Sequence, residues 1–186
     1  MNLPNKLTIL RIVLVPFFVL FLLVDSIPMN YLWALLIFAI ASITDCLDGY
    51  IARKYHLITN FGKFLDPLAD KVLVLAAMIS FIELGLASSV VVIIVIAREF
   101  LVTSLRLVAA SDGTVIAASI YGKIKTILQM FSIVAILLLK TIYQFVPIAV
   151  DIAFLSNLLM WITAVVTVIS GVDYLLKNKA CINTTK

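Results

Sequence analysis

Apolar residues run along this chain in long unbroken blocks, without the strict alternation of half-buried strands, and short polar or turn-forming breaks separate the blocks. Reading blocks against breaks predicts six helices, near residues 7–24, 31–52, 67–85, 88–109, 122–140 and 148–176. Each approaches or exceeds the roughly 20 mostly apolar residues that a bilayer crossing takes. The breaks carry residues that stop helices: Asp25-Ser26-Ile27-Pro28 after the first block, Gly85 after the third, Ser111-Asp112-Gly113 after the fourth and Pro147 before the sixth. The expected fold is an all-α polytopic membrane protein with six transmembrane helices, a single domain over residues 1–186. The last block is long enough to overrun the bilayer.

Composition agrees and excludes a soluble domain. The chain is 64% hydrophobic and 13% charged, against about 25% charged in soluble proteins. The first block has the look of a secretory leader, yet no small-residue cleavage site follows, and Asn5, Lys6 and Arg11 lead directly into it. It reads as a retained span. Twelve of the fourteen basic residues fall on the N-terminal side of this arrangement; Lys140 lies at the opposite face and Arg98 within the fourth span. Cytoplasmic segments are rich in Lys and Arg, so both termini and the loop after the second helix are expected in the cytoplasm, with the protein in the inner (cytoplasmic) cell membrane. The net charge of +4 reads as anchoring at span ends, with no nucleic acid partner, since no continuous basic face forms. Cys46 and Cys181 stand apart and form no disulfide framework. No inverted repeat or low-complexity tract is visible.

Against that background four of the eight aspartates crowd into residues 45–70. Charge in or at the edge of a membrane protein costs about 2.5–3.5 kcal/mol per residue on insertion scales, so carboxylates here point to function. At 100° per residue Asp45, Asp48, Gly49 and Ala52 fall within an arc of about 100°, placing two carboxylates on one face beside two very small side chains. Asp66 before Pro67 suits a helix N-cap followed by proline at the first helical position, with Asp70 one turn on. Singly, these aspartates have ordinary readings, a cap for Asp66 and a pairing with Arg53 or Lys54 for Asp45; all four together do not. Four carboxylates need neutralising cations, and oxygen-only donors favour hard divalent ions. Two such ions clamping a phosphate or diphosphate are the natural use. His56, the single histidine, has no partner motif and reads as structural.

The string Asp45-x2-Asp48-Gly49-x2-Ala52-Arg53-x8-Gly62-x3-Asp66-x3-Asp70 resembles the signature of the CDP-alcohol phosphotransferases at every fixed position and in both gaps. The opening Asn2 to Arg11, the segment Gly62 to Lys71 and Ala97-Arg98-Glu99-Phe100 look like the bacterial phosphatidylglycerophosphate synthases within that family, a likeness that fades after about Thr126. The resemblance implies a six-helix homodimer that transfers a phosphatidyl group from CDP-diacylglycerol to an alcohol, releasing CMP. It implies that two Mg²⁺ or Mn²⁺ ions are held, one by Asp45, Asp48 and Asp66 and the other by Asp45, Asp66 and Asp70, with Asp70 also the general base. It places Gly49, Arg53 and Thr59 at the CDP-diacylglycerol site, joined by Ala52 and Gly62 of the motif and by Thr8 to Arg11 of the first span.

Acceptor choice has to come from other cations. Arg98 is mid-span beside Glu99, where a charge is functional more often than a bare Arg–Glu pair. Arg106 lies eight residues on, about 80° round the helix, in a position to converge with Lys123 and Lys125 on one anion. These four suggest a phosphate pocket, for which glycerol 3-phosphate is the expected occupant; positive-inside anchoring is the plain reading of the two lysines. Inositol phosphate, or phosphatidylglycerol to give cardiolipin, are alternative acceptors. A cation or organic-phosphate transporter is a more distant reading, opposed by the clustering of charge at one face. Trp33 and Trp161 read as interface aromatics, Met78, Met130 and Met160 as core filler, and Gly122 and Gly171 as easing helix contact.

Overall fold

The computed structural model describes residues 3–54, 60–111, 116–117, 119–146 and 150–179, with side chains throughout except at 3–4, 46, 49–50, 52–53, 60–67, 70 and 111. Thr59, His56, Cys181 and the break signals at Asp112-Gly113 and Pro147 lie outside the described residues. Among those described there are six helices and no strand: α1 Leu3–Leu23, α2 Asn30–Lys54, α3 Asn60–Glu83, α4 Ser89–Ser111, α5 Ile120–Phe145 and α6 Ile152–Lys177.

Helix ends depart from the apolar blocks where polar residues extend or cut a helix. α3 begins at Asn60, not near residue 67, so Asp66 and Pro67 lie inside the helix, which corrects the reading of Asp66 as its N-cap. Hydropathy registers what must be buried, whereas a helix propagates through polar residues such as Asn60 and Lys63 once nucleated. α6 begins later than expected because Asp151 caps it, its Oδ1 accepting the Phe154 N–H at 3.1 Å. Gly85, at φ 68°, ends α3 in the left-handed region that glycine enters without strain.

Three helices are long and apolar enough to cross a membrane by length and composition: α1 from Asn5, α5 and α6. α4 carries Arg98, Glu99 and Arg106 along its length, and the apolar part of α2 is the shorter stretch Asn30–Asp45. At about 1.5 Å per residue, the 26 residues of α6 extend about 39 Å, beyond a hydrocarbon core of about 30 Å.

The chain forms two compact units. In the first, residues 1–84 and 134–150, α1 packs along α2 and α3. Ala34, Phe38 and Ala41 make the buried stripe of α2, and Phe38 meets Phe18 of α1 with ring centroids 5.7 Å apart. Where α2 starts, Gln144 donates to Asn30 Oδ1 at 2.6 Å and Lys140 lies 5.3 Å from the centre of the Tyr31 ring. The second unit, residues 85–133 and 151–186, holds α4, the first half of α5 and α6. The buried stripe of α6 is narrow and hydroxylic, with Ser156, Thr163, Ala164, Thr167, Ser170 and Gly171. Small residues let helices approach closely in lipid, and hydroxyls link them; Thr163 and Ser132 of α5 are 2.9 Å apart.

Candidate active site

Within the first unit, the carboxylate face of α2 turns toward the first two turns of α1. Arg11 is buried to 1% exposure. Its Nη1 lies 2.5 Å from Asp45 Oδ1, and its Nη2 lies 2.5 Å from Asp48 Oδ2. Thr8, one turn earlier, donates to Asp48 Oδ2 at 3.5 Å. The i, i+3 spacing puts both carboxylates in reach of one planar guanidinium, a match that a lysine's point charge does not make. The two acids differ in surroundings: Asp48 is 6% exposed and Asp45 43%. One cation against two carboxylates leaves a net negative charge on oxygen-only donors, and this chemistry fits a hard divalent ion. Among the described residues no three metal-ligating side chains gather. Asp66 and Asp70 lie one turn apart on α3, and their side chains, like those of Gly49, Ala52, Arg53 and Gly62, fall outside the described set.

A second polar cluster is built in the other unit by α4, α5 and α6. Arg98, 12% exposed, donates from Nη2 to Ser170 Oγ of α6 at 2.7 Å. Its Nη1 stands 3.5 Å from Glu99 Oε1, an oxygen also paired with the buried Nζ of Lys125 on α5. Arg98 and Lys125 therefore meet through Glu99. Arg106 is exposed and reaches the Ile116 carbonyl at 3.5 Å, and Lys123 is exposed on α5. Of the four cations expected at the acceptor, the structure joins Arg98 and Lys125 in one network and leaves Arg106 and Lys123 at the surface.

Two participants were not anticipated in these roles. Arg11 pairs with Asp45 and Asp48; the expected partners of Asp45 were Arg53, whose side chain lies outside the described set, and Lys54. Ser170 had no signal beyond being a hydroxyl in an apolar run. Gly171 does more than ease helix contact, since a Cβ there would come 3.2 Å from Arg98 Cγ; one at Gly122 would lie in ordinary contact, 3.5 Å from Arg98 Nη2.

A family model described as CDP-alcohol phosphatidyltransferase matches residues 1–169. The chain belongs to the CDP-alcohol phosphatidyltransferase family. Among its relatives in that family is a protein of Bacillus subtilis named CDP-diacylglycerol–glycerol-3-phosphate 3-phosphatidyltransferase, 44% identical over 99% of this chain and 98% of the relative. A protein of Rickettsia bellii with the same name is 41% identical over 97% of this chain and 95% of its own length. A Mycobacterium tuberculosis protein named probable phosphatidylglycerophosphate synthase is 40% identical over 93% of this chain and 79% of its own.

Proposed function

We propose that this membrane enzyme transfers a phosphatidyl group from CDP-diacylglycerol to glycerol 3-phosphate, giving phosphatidylglycerophosphate and CMP. The observation that carries the reading is near-full-length similarity to the Bacillus subtilis protein whose name states that donor and that acceptor. The intact aspartate string and the Arg11-bridged pair on α2 support it.

In the proposed mechanism a hydroxyl oxygen of glycerol 3-phosphate attacks the phosphatidyl phosphorus, the bond from that phosphorus to the CMP oxygen breaks, and the hydroxyl proton passes to the Asp70 carboxylate. Asp45, Asp48, Asp66 and Asp70 would hold two Mg²⁺ or Mn²⁺ ions, which when bound offset diphosphate charge and stabilise the leaving oxygen. Arg11 and Thr8 fix the α2 carboxylates. Gly49, Ala52 and Gly62 leave room for the nucleotide to approach backbone, and Arg53 and Thr59 supply polar contacts to it. Arg98, Lys125, Arg106 and Lys123 are the cations that recognise the acceptor's anionic phosphate in this reading. The enzyme crosses the inner membrane six times as a homodimer with its termini and active site on the cytoplasmic side, an orientation supported by the distribution of basic residues.

The test is CMP release by detergent-purified protein given CDP-diacylglycerol and a panel of glycerol 3-phosphate, inositol phosphate, phosphatidylglycerol and choline. Glycerol 3-phosphate is expected to dominate the panel, and preference for another acceptor overturns this reading of the pocket. Arg98→Ala is expected to raise KM for glycerol 3-phosphate by about tenfold or more, as loss of a charge-assisted contact does, with KM for CDP-diacylglycerol little changed. Chelation of divalent ions by EDTA is expected to remove activity, and excess Mg²⁺ or Mn²⁺ to restore it; turnover that survives exhaustive chelation contradicts the metal assignment.

A further inference from the structure

Arg98 lies in a slot whose far wall belongs to α6. Ser170 is completely buried and accepts the Nη2 bond at 2.7 Å. Gly171, next along α6, has space for a Cβ only 3.2 Å from Arg98 Cγ, and Gly122 at the start of α5 lies under Nη2. A side chain at Gly171 would press on the arginine stem, while a Cβ at Gly122 would make ordinary contact with Nη2. The slot therefore fixes the guanidinium at one end by a hydrogen bond and along its stem by close contact.

The other end is left with unused capacity. Nε is buried and has no hydrogen-bond partner among the described residues. Among the described residues Nη1 has only the 3.5 Å contact with Glu99, whose Oε1 is engaged by Lys125. A buried guanidinium N–H without an acceptor is unfavourable. An oxyanion with several oxygens, such as a phosphate monoester, is the chemistry that satisfies a planar fork of this kind.

We propose that Ser170 is a positioning residue for acceptor recognition: with the close approach of Gly171 it holds the Arg98 guanidinium in the orientation that meets the acceptor phosphate, and it acts through Arg98 without touching the acceptor. This rests on the reading of Arg98 as an acceptor-phosphate residue. It assigns a specific task to one hydroxyl of the buried α6 stripe.

The experiment is steady-state kinetics on the full-length enzyme in detergent, with glycerol 3-phosphate varied at saturating CDP-diacylglycerol and the reverse. Ser170→Ala is expected to raise KM for glycerol 3-phosphate about five- to tenfold, the net scale of one ordinary hydrogen bond, because the effect is indirect, while kcat and KM for CDP-diacylglycerol stay within about twofold. Ser170→Thr, which keeps the hydroxyl, is expected to recover most of the loss. Gly171→Ala is expected to raise the same KM by displacing the arginine stem, and it carries the test if Ser170→Ala does not fold. In an Arg98→Ala background Ser170→Ala is expected to add less than about twofold, because residues acting through one contact are not additive. If Arg98→Ala raises the acceptor KM and Ser170→Ala and Gly171→Ala do not, the positioning role is wrong and the acceptor reading stands. If Arg98→Ala itself leaves that KM unchanged, the acceptor reading fails. Equal losses for both substrates, accompanied by a lower melting temperature, would reduce Ser170 to a packing role.

Discussion

Asp70→Asn is expected to lower the turnover for CMP release by at least about a thousandfold, the combined scale of losing the proposed general base and metal ligand. Asparagine keeps the size of the side chain and removes both its charge and its ability to accept the acceptor's proton. The variant is expected to accumulate in the membrane at normal levels, because Asp70 lies on α3, a helix whose packing rests on Ala69, Leu73, Ala77 and Phe81. The readout is CMP formed from CDP-diacylglycerol and glycerol 3-phosphate, with thermal unfolding in detergent as the control. Residual turnover within about tenfold of the unsubstituted enzyme would remove Asp70 from the base role, since positioned proton transfer contributes more than that.

Arg11→Leu is expected to affect stability as strongly as activity. Removing one partner of a buried ion pair strands the other, at a cost of about 3–5 kcal/mol for fully buried pairs. Here Asp48 is buried but still accepts from Thr8, and Asp45 is partly open to solvent, so the lower end, about 3 kcal/mol, is expected. Arg11→Leu combined with Asp48→Leu is expected to regain much of the lost stability, since replacing both members with apolar groups is often close to neutral, while activity stays absent. Thermal unfolding of the two variants checks this. A double variant no more stable than Arg11→Leu alone would show that the pair is not what couples α1 to α2.

The aspartate face was legible because it is local: Asp45 and Asp48 are i, i+3 neighbours on one helix, and helical geometry alone brings them together. Their counter-ion was not. Arg11 is 37 positions from Asp48, and the nearer Arg53 and Lys54 were the natural candidates when only sequence distance was available. Helix ends showed the same divide. Apolar blocks located all six helices, but they mark what avoids water, so the polar first turns of α3 went unseen and Asp66 was taken for a cap. Lys125 fitted the positive-inside pattern equally well as an anchor, and only tertiary structure places its ammonium in the interior on Glu99. Gly122 and Gly171 were read as spacers between helices because a sequence does not say which neighbour fills the space a missing Cβ leaves.

The Arg11 bridge bears on how the chain enters the membrane during synthesis. Arg11 lies on α1, and its two carboxylates follow only when the end of α2 has been made. Until then the guanidinium must remain near lipid headgroups or water, because an unpaired charge is costly in hydrocarbon. The α1–α2 pair is thus the smallest stretch of chain in which these charges meet.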